Sequence, residues 1–160
     1  MGTTFNEIYT DWMMPIINDY KIDALYIKDK KVFNEFFKGF LQTGLSDFDC
    51  LKSLTYRKEI ITDQETNEEE EIYVFDSDLD DDEKKIIGEI AVTKYWKRIF
   101  NDIKARSPYM SQREFKKEAT APVMKENDKW YNNLVSEYVA DISNYHIKHM
   151  DELDYWKDLS

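Results

Sequence analysis

Six of the eight residues from Asp76 to Glu83 are acids, in the run DSDLDDDE, and Asp76, Asp78, Asp80 and Asp82 fall on alternate positions. Carboxylates at that spacing are the first ligands of a calcium loop. An EF-hand loop beginning at Asp76 also needs glycine at its sixth place and glutamate at its twelfth, where this chain has Asp81 and Ile87. The same acids suit the beginning of a helix. The unsatisfied N–H groups and positive dipole end stabilise carboxylates there, with Asp78 or Asp80 as N-cap. The run therefore reads as the start of the apolar helix that follows it.

His146 and His149 stand three apart and could reach one metal, with Asp141 or Glu152 nearby. The chain has only two histidines, and His149 falls in an aromatic row, where a hydrogen-bonded ring is commoner than a ligand. Cys50 is the single cysteine, which excludes an internal disulfide and reads as a buried thiol. There is no phosphate loop and no nucleophile elbow, and four glycines leave little backbone for cradling phosphate. The expectation is a protein without catalytic residues, metal or cofactor.

With chemistry that sparse, the interest moves to the elements. At 160 residues the chain has the length of one domain, and nine Phe, eleven Tyr and four Trp give it rings enough to fill a core. A formal charge of -11 argues against gripping nucleic acid, which needs a basic stripe and counterion release. The opening residues carry acids where an export signal needs a basic start, and no run reaches the ~18 apolar residues of a membrane span. A soluble protein of a reducing compartment is expected.

The predicted fold is mainly α, a helical bundle with a long C-terminal helix and one β-hairpin insertion, over residues 1–160 as a single domain. Thr3 or Thr4 opens a first helix, with Phe5, Ile8, Tyr9 and Trp12 at helical spacing until Pro15. Asp29 caps a second, whose Phe33, Phe36, Phe37, Phe40 and Leu41 form one stripe ending near Gly44. Residues 54–76 place β-branched and aromatic arms on either side of an acidic middle, TDQETNEEEE, and read as a hairpin. From Ile86 to Ile103 apolar residues wrap most of a helix, which should be buried on more than one side. Ser107 and Pro108 then break the pattern, and a basic connection leads to Pro122.

The last helix, about 123–158, contains a row of Tyr131, Val135, Tyr138, Ile142, Tyr145, His149 and Trp156 at alternating four- and three-residue spacing, with Glu152 the one charged residue in the row. A helix of that length runs roughly 50 Å at ~1.5 Å per residue, against a domain diameter of roughly 40 Å. It must bend or project. A projecting aromatic row would need cover from neighbouring subunits, whereas a helix folding back as the last arm of a bundle would cover the row itself.

In order, TFNEIYTDW, FFKGFLQTGLSDFDC, FDSDLDDDEKKIIGEIAVTKYWKRIFND and REFKKEATAPVMKENDKWYNNLVSEYVADISNY resemble the successive segments of a family of tailed-bacteriophage neck proteins, the head-tail connector or head completion proteins. The resemblance runs from Thr4 to about Tyr145. The chain departs from the family at Arg98 and Ile99, where a proline follows the Trp, and in a longer acidic hairpin middle.

The resemblance implies a non-enzymatic virion subunit, assembled in the host cytoplasm into a homo-oligomeric, dodecameric ring under the portal protein. A downstream neck or tail protein would dock on the opposite face, and double-stranded DNA would pass through the lumen without specific binding. No membrane is involved. Surplus carboxylates suit such a lumen, repelling phosphates over a Debye length of about 8 Å. Contacts between subunits or with the portal are expected from hairpin residues Tyr56, Ile60, Ile72, Tyr73, Val74 and Phe75 and from the C-terminal row. The acidic charge also leaves open a DNA-mimic or host-interaction protein of a phage.

Overall fold

A computed structural model of the chain describes residues 2–17, 20–106 and 121–150. It is mainly helical, with one antiparallel two-stranded hairpin and a long C-terminal helix. Helix α1 (Phe5–Glu7) begins where Thr4 Oγ1 accepts the Glu7 N–H at 3.1 Å, the expected cap. It passes directly into a π-helical stretch, Ile8–Met13, and then α2 (Met14–Ile17). Pro15 has no N–H to offer the Asp11 carbonyl, and its ring crowds that oxygen. The preceding turn is widened, with the Met14 N–H bonding Tyr9 O, so the proline distorts the helix without ending it.

Helix α3 (Tyr20–Lys28) leads into α4 (Lys30–Gly44), capped by Asp29 Oδ1 accepting from the Val32 N–H at 3.2 Å. Phe33, Phe37, Phe40 and Leu41 of α4 are buried and Phe36 packs beside them, so the predicted stripe faces the core. A short 3-10 turn (Leu45–Asp47) follows, and then the hairpin: β1 (Tyr56–Thr62) and β2 (Glu69–Phe75), paired from Tyr56 with Phe75 to Thr62 with Glu69. At its tip the Asn67 N–H returns to Asp63 O at 2.8 Å, with Asn67 in the left-handed region (φ 55°) that asparagine tolerates better than most residues.

Helix α5 (Asp81–Arg106) is the axis of the fold. Every residue from Ile86 to Thr93 is buried, as the wrap-around apolar pattern predicts. The helix lies against α4 and the π-helical stretch, and against the final helix, α6 (Ala121–Lys148). Gly88 permits the approach to the π-helical stretch. A Cβ there would lie 2.8 Å from Trp12 Cβ and 3.1 Å from its carbonyl oxygen, so the two backbones meet where only glycine fits.

Helix α6 has 28 residues and α5 has 26, about 42 and 39 Å at ~1.5 Å per residue, so the two match in length and lie side by side. The expected projection is therefore corrected: much of the aromatic row of α6 is covered by the chain's own body. The helix gives way to a turn at His149, and the rest of the expected span, residues 151–158 with Trp156, lies outside the described residues. So does the basic connection before Pro122.

Candidate functional site

Among the described residues no group of His, Cys, Asp and Glu is arranged to hold a metal ion. The acids from Asp76 to Glu83 diverge to separate partners. Asp76 accepts from Thr55 Oγ1 at 2.7 Å and Arg57 at 3.1 Å, and these two bonds hold its carboxyl below the usual range. Asp82 meets Lys148 Nζ at 2.7 Å and is lowered by that bond. Asp80 and Glu83 cap α5 reciprocally: Asp80 Oδ1 accepts the Glu83 N–H at 2.9 Å, and Glu83 Oε2 accepts the Asp80 N–H at 2.8 Å. The run is a helix start, with Asp80 as its cap.

Glu83 does more than cap. It is 1% exposed, and it gathers three parts of the chain. Lys52 Nζ, on the segment before the hairpin, donates to Oε2 at 2.9 Å; Tyr145 Oη, on α6, donates to Oε1 at 2.9 Å. The Tyr145 oxygen in turn accepts the Leu51 N–H at 3.2 Å and lies 3.6 Å from Cys50 Sγ. Burial pushes both the Tyr145 phenol and the Cys50 thiol above their ordinary values. His146 Nε2 is 2.8 Å from the Asp49 carbonyl and so helps to dock α6, while the His149 ring lies 4.7 Å from that of Tyr145, one turn earlier.

The described candidate contact residues separate into three groups, buried, half-buried and exposed. Val74, Phe75 and Tyr145, at 4%, 0% and 3% exposure, lie inside the chain's own core and offer a neighbour no surface, which corrects their assignment as contacts. The Phe5 ring meets Phe75 at 4.9 Å, Tyr56 at 5.0 Å and Tyr73 at 5.5 Å, drawing the base of the hairpin onto the body. Tyr138 and Ile142 pack against the core, and Tyr131, Val135, Ile72, Tyr73 and His149 are half-buried. The row that α6 turns inward includes Leu134, which the heptad spacing passes over in favour of Val135.

The outer end of the hairpin remains open. Ile60 and Ile61 are 60% and 45% exposed, and Tyr56, at the base of the same strand, is 37% exposed. One side of β2 is partly covered, because Thr4 bridges to Val74 and the Phe75 N–H bonds Thr3 O at 2.8 Å. On the other side of the two-stranded sheet, no strand among the described residues pairs with the outer edge of β1. That edge combines unpaired backbone groups with two exposed β-branched residues, the combination that recruits another strand. On α6, Val139 and Ile147 are also exposed, away from the aromatic row.

No helix among the described residues is long and apolar enough to cross a membrane. Compared with known proteins, the chain matches no family model, no curated protein and no solved structure.

Proposed function

We propose that the chain is a structural subunit of a tailed-bacteriophage neck. In this reading copies assemble into a ring between the portal vertex and the tail, double-stranded DNA passes through the lumen, and the next neck or tail protein docks on the far face. The order of segments from Thr4 to Tyr145 suggests the role. The structural observation that best supports it is the open β1 edge with Ile60 and Ile61 exposed beside it. A strand from a second copy or from the portal would bond to that edge through its main chain, with the two isoleucines supplying side-chain contact.

The charge is compatible with a conduit. Acids dominate the hairpin tip from Asp63 to Glu71, and a formal charge of -11 disfavours a grip on phosphates. The contact set in this reading is Ile60, Ile61 and Tyr56 on the hairpin, with Val139 and Ile147 on α6. Negative-stain electron microscopy of the purified chain, alone and mixed with portal protein, tests the role. Rings of uniform diameter, or an added layer on portal rings, are the expected result; dispersed single subunits in both preparations would overturn it.

A further inference from the structure

Glu89 is an acid in the middle of the buried run of α5, at 7% exposure, and the neck reading gives it no task. Its Oε2 is enclosed and has no hydrogen-bond donor to accept from. On its own helix Lys85 stands with Nζ 3.7 Å from Glu89 Oε1, and the same ammonium lies 3.4 Å from Asp141 Oδ2 on α6. Asp141 is within hydrogen-bonding reach of Glu89, and Glu137, one turn earlier on α6, adds negative potential. One half-exposed lysine thus serves two carboxyl groups, with a third acid behind them.

If all three acids were ionised, the lysine would offset one charge and leave Glu89 as a buried anion facing like charge. Burying an uncompensated carboxylate is costly enough that a protein group protonates instead. A protonated Glu89 turns the liability into a bond, since a carboxylic acid can donate to the Asp141 carboxylate.

We propose that Glu89 and Asp141 form a proton-sharing clasp between α5 and α6, closed while Glu89 holds its proton and loosened when it ionises. Burial first, and then the Asp141 hydrogen bond and charge, push the Glu89 carboxyl up to about 8. The sign follows from linkage. The folded chain holds this proton more tightly than the unfolded chain, whose Glu89 has the ordinary carboxyl value. The clasp's contribution is complete below the ordinary carboxyl range, declines as pH rises toward 8, and is absent above it. The middle of α6 responds, because Tyr145 remains tied to Glu83 four residues further on.

The test is carbon-13 NMR of the full chain with labelled glutamate side chains, the Glu89 signal assigned through its backbone. One carboxyl should titrate near 8, its midpoint falling when Asp141→Asn removes the facing charge. Hydrogen exchange, corrected for the intrinsic effect of pH, should show protection of α6 amides falling about tenfold as the wild type passes that midpoint. Glu89→Gln, which mimics the protonated state, should abolish the fall. A Glu89 carboxyl titrating in the ordinary range would overturn the clasp, and so would identical pH dependence of α6 protection in wild type and Glu89→Gln. The wild-type titration decides the matter even if a variant fails to fold.

Discussion

Tyr145 donates its phenolic hydrogen to Glu83 Oε1 at 2.9 Å, across 62 positions of sequence, and this bond locks the C-terminal helix onto the start of the central one. The same oxygen accepts the Leu51 N–H. Tyr145→Phe keeps the ring contacts with Phe48 and His149 but leaves a buried carboxylate oxygen and an amide without their partner. The expected loss is about 1–3 kcal/mol, read from the urea midpoint at unchanged m-value.

Glu83→Ala should cost more than Tyr145→Phe, because it removes half of the capping box and the Lys52 contact as well. Lys52 is 40% exposed in its side chain and can turn to water, so its share is small. Combining the two substitutions should cost less than their sum, by about 1 kcal/mol, since both break the same bond. A double-mutant cycle in urea measures that difference; strict additivity would mean the two groups do not act together.

Much of this fold is legible in local signals. Thr4, Asp29 and Asp80 are caps because a short polar side chain reaches an N–H two or three residues on, and that geometry is written within one turn. The α4 stripe and the hairpin arms are local patterns too. What sequence does not carry is the choice of partner. Leu134 and Val135 are adjacent and both apolar, and only the position of α5 decides that Leu134 turns inward. The burial of Glu83 depends on Lys52 and Tyr145, both distant in sequence. Glu89 gave a readable hint, an acid amid Ile86, Ile87, Ile90 and Ala91, but its significance rests on Asp141 arriving from another helix. Helix α3 is not legible in the sequence, because Ile22, Leu25 and Tyr26 are too short a series to separate a helix from a connection.

Gly88→Ala tests the contact between α5 and the π-helical stretch. The added methyl would fall against Trp12 Cβ, carbon and carbonyl oxygen, and backbone atoms have little room to give. Alanine's better helix propensity recovers under about 1 kcal/mol, while overpacking costs about 1–3 kcal/mol. A net loss of thermal midpoint is expected by calorimetry. An unchanged or raised midpoint would show that the two segments do not touch there.

Cys50 should be a slow nucleophile. Burial raises its thiol above the ordinary value, so at mildly alkaline pH less of it is thiolate than in the unfolded chain. Alkylation by iodoacetamide near pH 8 is expected to run at least about tenfold slower in buffer than in urea, after correction for urea's effect on a free thiol. Equal rates would show that the thiol is open to reagent despite its contact with Tyr145.

Ile60 and Ile61 point to opposite faces of β1, so a strand added to the open edge would meet one isoleucine on each side. Replacing both by Asp leaves the hairpin's tyrosine and phenylalanine base against Phe5 undisturbed, since those rings lie nearer the body. Folding stability should change by no more than about 1 kcal/mol, as for exposed positions generally. On the proposed neck role, ring formation or portal binding should be lost, because the substitution adds charge and removes apolar contact where a partner strand would lie. Ile72→Asp with Val74→Asp would be a poorer test, since Val74 is buried and the variant would unfold for reasons unrelated to assembly. Rings formed as readily by the Ile60, Ile61 double variant as by the wild type would move the contact away from the hairpin, leaving the exposed Val139 and Ile147 of α6 as the surface to change next.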